Sequence, residues 1–270
     1  MKTLGLVVAR KGSRRVPGKN EREFCGHPLV AWTIVQSICS HGVDGTFLST
    51  DGDNLAAIGE KYGAQVIRRP DWGDADYVPA NVPYMHMLGI LREVYPEAQA
   101  AVCYLPTSPL RKPNDTDRCL DAFYNTRPWP GRCAQVTPII PQPETVVLRP
   151  IQGNYYTTEM FNKSWRYAVQ GGGMSVTDIN EYIRDNQVVA RERWTDAMLD
   201  GLIEDKDRHL LSEIFKNDVM RYVAMDMWQQ FEIDEEEEFR LCELMMEAFI
   251  LKGRGMDVYY EYAKEKPSAD

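Results

Sequence analysis

The sequence is poor in paired metal ligands. Its six cysteines, Cys25, Cys39, Cys103, Cys119, Cys133 and Cys242, are scattered, and none forms a Cys-x-x-Cys pair. That spacing argues against a structural zinc site. With no export signal in view, free and mostly buried thiols are expected rather than a disulfide framework. The four histidines show no His-x-x-x-His spacing, which removes a zincin-type centre. Long apolar runs are missing too. The charge-free stretch Phe24–Val43 contains His27, Pro28, Gln36 and His41, and Leu4–Ala9 is too short for a leader. A cytoplasmic protein without a membrane segment is the expectation. Positive charge is also in deficit. Lys plus Arg number 31 against 40 Asp plus Glu, for a net charge of −9, which argues against a broadly basic nucleic-acid binder. Neither a Walker A loop nor a Gly-x-Gly-x-x-Gly fingerprint is present.

What remains is ordinary globular material: 270 residues with 44% hydrophobic and 26% charged side chains, enough chain to bury a core without staples. The first half alternates in period. Strands are predicted at Leu4–Ala9, Thr46–Ser49, Gln65–Ile67, Ala100–Leu105 and Cys133–Thr137, with helices at Pro28–Ser40, Asn54–Tyr62, Asn81–Val94 and Asp115–Tyr124. This alternation predicts an α/β fold: a mostly parallel central sheet with helices on both faces, whose ligands bind beyond the carboxyl ends of the strands.

The second half is more elaborate. Glu144–Leu148 and Asn154–Thr158 flank a Pro- and Gly-containing turn and predict a β-hairpin. Strands are expected at Met174–Thr177, Asp218–Met225 and Gln230–Ile233. Helical patterns cover Thr195–Phe215 and Glu235–Leu251, and residues 264–270 form a tail. A single domain spanning 1–270 is the simplest organisation, with 140–218 as a candidate dimerisation or lid elaboration.

Charge is unevenly placed. Lys2, Arg10, Lys11, Arg14, Arg15 and Lys19 fall in the first twenty residues, which hold no acid. The segment Ala9–Asn20 (ARKGSRRVPGKN) directly follows the first strand. Gly12, Ser13 and Gly18 allow close backbone approach, and their N–H groups can cradle phosphate oxygens. Arg10, Arg14 and Lys19 can supply counter-charge to a triphosphate.

This segment resembles the N-terminal signature of the acylneuraminate cytidylyltransferase family, which makes CMP-sialic acid and related CMP-sugars. Further family-like elements follow in order: Gly26–Leu29, then Ser49–Asp51, then Tyr62–Ala64 with Arg69–Pro70, then Pro106–Arg111 (PTSPLR), then Phe231–Phe239 (FEIDEEEEF). The resemblance implies a Rossmann-like nucleotidyltransferase that joins CMP from CTP to an acidic sugar and releases pyrophosphate. It implies that Arg10, Arg14 and Lys19 hold the triphosphate, with Gly12 and Ser13 beside them, and that Asn20 and Arg69 bind the cytidine. Thr107, Ser108 and Arg111, with Gln142 and Gln170, fall to the acceptor side. A homodimer is implied as well.

The acidic run divides in two. Glu235–Glu238 suit the first turn of a helix, where the macrodipole favours negative charge. If Gln230–Ile233 is a strand, Glu232 and Asp234 point to one face and can bind Mg2+ through oxygen ligands; the family resemblance places its metal at these positions, with Asp234 among the catalytic candidates. The chain departs from the family pattern at Glu232, where Asp is usual, at Arg14, where Lys is usual, and at Leu105, where Gln is common. The acceptor is therefore open among sialic, legionaminic, pseudaminic and ketodeoxyoctonic acids. A cytidylyltransferase for a phosphonate or another acidic acceptor is an alternative, as is a catalytically inactive nucleotide-binding relative. No side chain stands out as general base.

Overall fold

The computed structural model describes residues 2–13, 15–70, 72, 78, 81–124, 133–142, 155–157, 167–170, 173–180, 182 and 219–265. Strand β1 (Thr3–Val8) sits at the middle of a parallel array. It pairs on one side with β4 (Gly45–Thr50), which pairs in turn with β5 (Gln65–Arg68), and on the other side with β6 (Ala100–Tyr104). Between β1 and β4 lie a short hairpin, β2 (Glu23–Phe24) and β3 (His27–Pro28), and helix α1 (Leu29–Ile38).

Beyond β6 the sheet reverses. Strand β10 (Met174–Asp178) runs antiparallel to both β6 and β7 (Cys133–Gln142). Strand β7 also takes β11 (Val219–Ala224) in parallel and β9 (Tyr167–Gln170) antiparallel, and β8 (Tyr155–Thr157) pairs with β9. Among the described residues this makes one nine-stranded sheet.

The period of two along the strands divides the core. From β1, β4 and β6, Leu4, Leu6, Phe47, Ala101 and Cys103 meet Tyr84, Met87, Leu88 and Leu91 of helix α3 (Asn81–Val94). The alternate residues Val7, Leu48, Val102 and Tyr104 face the other way. They pack on α1, on Leu55 of α2 (Asp53–Lys61), and on Cys119, Leu120 and Phe123 of α4 (Asp115–Tyr124). Helix α1 is buried from Leu29 to Ser37 because its far side is covered as well. Trp32 and Val35 there meet Phe239 and Cys242 of α5 (Glu236–Met245) and Val258 and Tyr259 of α6 (Asp257–Lys264). Each large apolar side chain so enclosed contributes about 1.5–3 kcal/mol, and Trp32 also donates its indole N–H to the Phe24 carbonyl at 2.6 Å.

Several local expectations are corrected. Gln230–Ile233 is not a strand. Met227–Gln230 forms a 3-10 turn closed by a capping box between Asp226 and Gln229, and 231–233 continues with no ladder partner. The reason is Gln229, whose buried amide donates to the Leu110 carbonyl at 2.8 Å and to Asp115 at 2.6 Å. The helix expected over Glu235–Leu251 changes at Met246 into a π-turn, Met246–Leu251, that ends on left-handed Lys252. Helix α6 was not anticipated, and Lys264 belongs to it rather than to a tail. The described partner of β8 is β9, whereas 144–148, expected to form its hairpin, lies outside the described residues, as do 195–215 and 266–270. No helix among the described residues is long and apolar enough to cross a membrane.

Candidate active site

The carboxyl ends of β1, β5 and β6 open onto a cleft of about 540 Å³. Its walls come from the loop after β1 (Arg10, Ser13, Arg15, Val16, Lys19, Asn20), from Arg69 after β5, from Val78 before α3 and Pro83 in its first turn, from Leu105–Thr107 after β6, and from Asp234.

The basic loop is pinned rather than loose. Ala9 N–H donates to the Ser49 carbonyl at 3.1 Å, and Lys11 N–H donates to the Asp51 carboxylate at 2.9 Å. Val16 is fully buried among Phe24, Leu29 and Trp32, which turns its charged neighbour Arg15 outward. Gly12 and Gly18 adopt φ of +72° and +62°, the left-handed region that side chains disfavour. The turn then closes through Glu21 and Arg22 N–H groups donating to the Gly18 carbonyl at 2.9 and 3.0 Å.

Lys19 is only 7% exposed. Its ammonium donates to the Ile233 carbonyl and lies 3.4 Å from an Asp234 oxygen. Burial strips its hydration and lowers its pKa below the ordinary lysine value, while Asp234 pulls in the opposite direction. Arg15 reaches the same Asp234 oxygen at 3.0 Å. Arg69 is lowered by burial too, with Asp51 opposing and Arg10 reinforcing the shift. It donates to the Ser49 carbonyl at 2.8 Å, and its Nε has no partner. Asn20 donates to the Arg10 carbonyl at 3.2 Å and leaves its buried side-chain oxygen unmet. Buried polar groups left in this state are costly unless something occupies the cleft beside them.

Of the residues singled out from sequence, the structure brings Arg10, Ser13, Lys19, Asn20, Arg69, Thr107 and Asp234 to this cleft. Gly12 shapes the loop. Arg14 lies outside the described residues. Gln142 and Gln170 end strands β7 and β9, and their side chains are outside what the structure describes.

Three placements differ from expectation, those of Ser108, Arg111 and Glu232. Ser108 is 1% exposed and does not line the cleft. Arg111 is 1% exposed and does not line the cleft. Its guanidinium donates to the Gln36 side-chain oxygen at 2.8 Å and to the Thr33 hydroxyl at 2.7 Å, and reaches the Leu105 carbonyl at 3.4 Å. Glu232 does not line the cleft either; it accepts the Ser108 hydroxyl at 3.0 Å. The premise that Glu232 and Asp234 share a strand face fails because no strand forms there. Arg15 was passed over as a site residue. Its signal was the alternation about Val16, whose burial turns both flanking positions to the surface. The glutamates after Asp234 behave as a helix start: Glu235 and Glu238 form a capping box for α5, and Glu236 takes a two-pronged pair from Arg22 at 2.5 and 2.7 Å.

Among the described residues no three His, Cys, Asp or Glu side chains converge as a metal centre. An ion shared with a bound polyphosphate needs fewer, since Mg2+ is commonly held by one or two carboxylates plus phosphate oxygens. Asp234 fits that role.

The chain is similar to known cytidylyltransferases in sequence and in fold. Residues 4–76 match the family model described as Cytidylyltransferase. The chain is 32% identical over 165 residues to the CMP-N,N'-diacetyllegionaminic acid synthase of Legionella pneumophila, covering 60% of this chain and 68% of that protein. It is 30% identical over 125 residues to a pseudaminic acid cytidylyltransferase of Campylobacter jejuni, covering 46% of this chain and 53% of that protein. Among solved structures, a CMP:2-keto-3-deoxy-manno-octonic acid synthetase complexed with CTP superposes with a TM-score of 0.63 at 14% identity, over 91% of this chain and 98% of that one. A cytidylyltransferase from Leptospira borgpetersenii does so with a TM-score of 0.59 at 17% identity, over 99% and 96%. These two likenesses speak to the fold.

Proposed function

Because the chain belongs to the CMP-nonulosonate synthetase family of cytidylyltransferases, we propose that its cleft binds CTP and joins CMP to an acidic sugar, releasing pyrophosphate. The observation that carries this reading is the convergence of Arg10, Arg15, Lys19 and Arg69 on one cleft whose polar atoms on Asn20 and Arg69 stand unpaired. A triphosphate answers the charge, and a nucleoside answers the orphaned amide oxygen and guanidinium N–H.

The reaction is an in-line displacement. An acceptor oxygen attacks the α-phosphorus of CTP, the bond to the bridging oxygen breaks, and pyrophosphate departs with that electron pair. The acceptor's proton leaves to solvent. Arg10, Arg15 and Lys19 stabilise charge that grows on the transferring phosphoryl and the leaving group, and Arg14 adds to them in this reading. Lys19 is aimed by the Ile233 carbonyl and by Asp234. Asp234 would hold Mg2+ together with phosphate oxygens, and the ion would offset triphosphate charge. The lip Leu105–Thr107 faces the acceptor, and the anionic groups of a nonulosonic acid suit the surrounding cations. A homodimer and a cytoplasmic location belong to the same reading.

Thermal unfolding with Mg2+ and each of CTP, UTP, ATP and GTP tests it. A ligand at ~100 times its Kd stabilises by about 2.7 kcal/mol, so CTP alone is expected to shift Tm clearly. Pyrophosphate release with a panel of nonulosonic acids then identifies the acceptor. Preference for another nucleotide would refute the cytidine assignment.

A further inference from the structure

The segment 231–236 touches both sides of the cleft. On the phosphate side it meets Lys19 through the Ile233 carbonyl and Asp234, Arg15 through Asp234, and Arg22 through Glu236. On the other side Ile233 N–H donates to the Thr107 carbonyl at 2.7 Å, and one residue earlier Glu232 accepts the Ser108 hydroxyl at 3.0 Å. Ser108 is 1% exposed, so its hydroxyl orientation is fixed by this bond within packed surroundings. A Cβ at Gly173 would collide with the Ser108 side chain, which closes the space on the far side. Glu232 and Asp234 therefore face different partners: Asp234 the two cations of the basic loop, Glu232 the loop after β6.

We propose that Glu232 is a positioning residue that fastens the Leu105–Ser108 lip to the segment carrying Asp234, and that Mg2+ meets the protein through Asp234 and not through Glu232. The pairing sets the distance between the wall that faces the acceptor and the carboxylate that faces the triphosphate. What Glu232 contributes is an acceptor oxygen, not a charge, so a glutamine in its place retains the function. The metal half rests on the cytidylyltransferase reading; the tie between the lip and the segment does not.

The test separates the two halves using Glu232→Gln, Glu232→Ala and Asp234→Asn in the full chain. Glu232 is solvent-exposed, so its replacements are expected to fold. Binding of Mn2+ in the presence of CTP, followed by the loss of the free-ion electron paramagnetic resonance signal, is expected to match wild type in both Glu232 variants and to weaken by about tenfold or more in Asp234→Asn. Hydrogen exchange at the Ile233 amide is expected to stay slow in Glu232→Gln and to accelerate by about tenfold in Glu232→Ala, the loss of one net hydrogen bond's worth of local stability. Weakened Mn2+ binding in Glu232→Gln comparable to Asp234→Asn would overturn the metal half. Unchanged exchange in Glu232→Ala, or acceleration in Glu232→Gln as well, would overturn the tie. Failure of wild type to bind Mn2+ with CTP would overturn the metal half together with the cytidylyltransferase reading, and the exchange comparison would still decide the tie.

Discussion

Replacing Arg111 by Met should cost stability rather than nucleotide affinity. The guanidinium is fully enclosed and is spent on protein groups: Gln36 at 2.8 Å, Thr33 at 2.7 Å, the Leu105 carbonyl at 3.4 Å, and the Tyr104 ring at 5.5 Å. Methionine fills much of the volume but can donate to none of them. Leaving the Gln36 oxygen and the Thr33 hydroxyl without their donor costs roughly 1–3 kcal/mol each, and removing a buried cation returns part of that. A net loss of about 3 kcal/mol follows, or roughly 6–12 °C in Tm for a chain of this size. Denaturant unfolding of both proteins, with CTP titrations at a temperature where both are folded, measures the two effects separately. The variant should be destabilised while its CTP affinity is retained. Stability within about 1 kcal/mol of wild type together with lost CTP binding would refute the reasoning, because the guanidinium would then be reaching ligand rather than holding the interior.

Burial lowers the Lys19 pKa in the free protein, and a triphosphate beside it favours the charged form. CTP binding in mildly alkaline buffer should therefore take up protons, seen as a binding enthalpy that varies with buffer ionisation heat. The unfolded chain binds more protons than the folded one between the lowered Lys19 value and 10.5, so wild type should gain stability relative to Lys19→Met as pH rises through that window; a flat difference would contradict it. Gly173→Ala should destabilise by about 1–3 kcal/mol, since φ is +46° and the new Cβ would meet Ser108, and the Tm reports it. Burial pushes the Cys103 and Cys119 thiols up to about 12, so at pH 8 both should resist a disulfide reagent until the protein unfolds. Rapid labelling of either in the native protein would contradict that placement.

The parallel half of the fold was legible because its periodicity is strong and its connections short. The short apolar runs of β1 and β6 fit strands covered on both faces, and Gly63, with φ of +93°, marks the stop of α2. The rest depends on contacts that have no local signature. Glu23–Pro28 turns back on itself through left-handed Cys25 and Gly26; the glycine suits such a turn, but the cysteine before it does not advertise one. Gln230–Ile233 alternates like a strand, but a buried amide at Gln229 ties it to Leu110 and Asp115 more than a hundred residues away. The site divides in the same manner. The Arg10–Asn20 loop is contiguous, so its spacing could be read directly. Arg111 and Glu232 sit in suggestive motifs, and their side chains turn inward or sideways only because of neighbours contributed by α1 and by the loop after β6. Sequence pattern locates a charged residue near a site; which way it points is decided by what else is buried there.

That division bears on how the cleft is built. Among the described residues, four cations line it in a chain whose net charge is −9. Like charges brought together in a partly buried pocket repel by several kcal/mol at an effective dielectric near 20, so such a cluster needs a structural reason to persist without ligand. Asp234 supplies it by pairing with Arg15 and Lys19, and the backbone carbonyl of Ile233 takes the rest of the Lys19 charge. An incoming triphosphate competes with that carboxylate for the same two cations. A divalent ion held by Asp234, as proposed above, would offset the charge of both anions and turn the competition into cooperation. CTP and Mg2+ should therefore bind with positive cooperativity, and Asp234→Asn should reverse the balance: tighter CTP binding without Mg2+, since a competing charge is gone, and a much smaller gain when Mg2+ is added. Isothermal titration of CTP with and without Mg2+ against both proteins measures the coupling, and the reciprocal effect of CTP on metal affinity must equal it. Equal Mg2+ enhancement in wild type and Asp234→Asn would place the ion elsewhere and leave Asp234 only as the counter-charge that keeps Arg15 and Lys19 together.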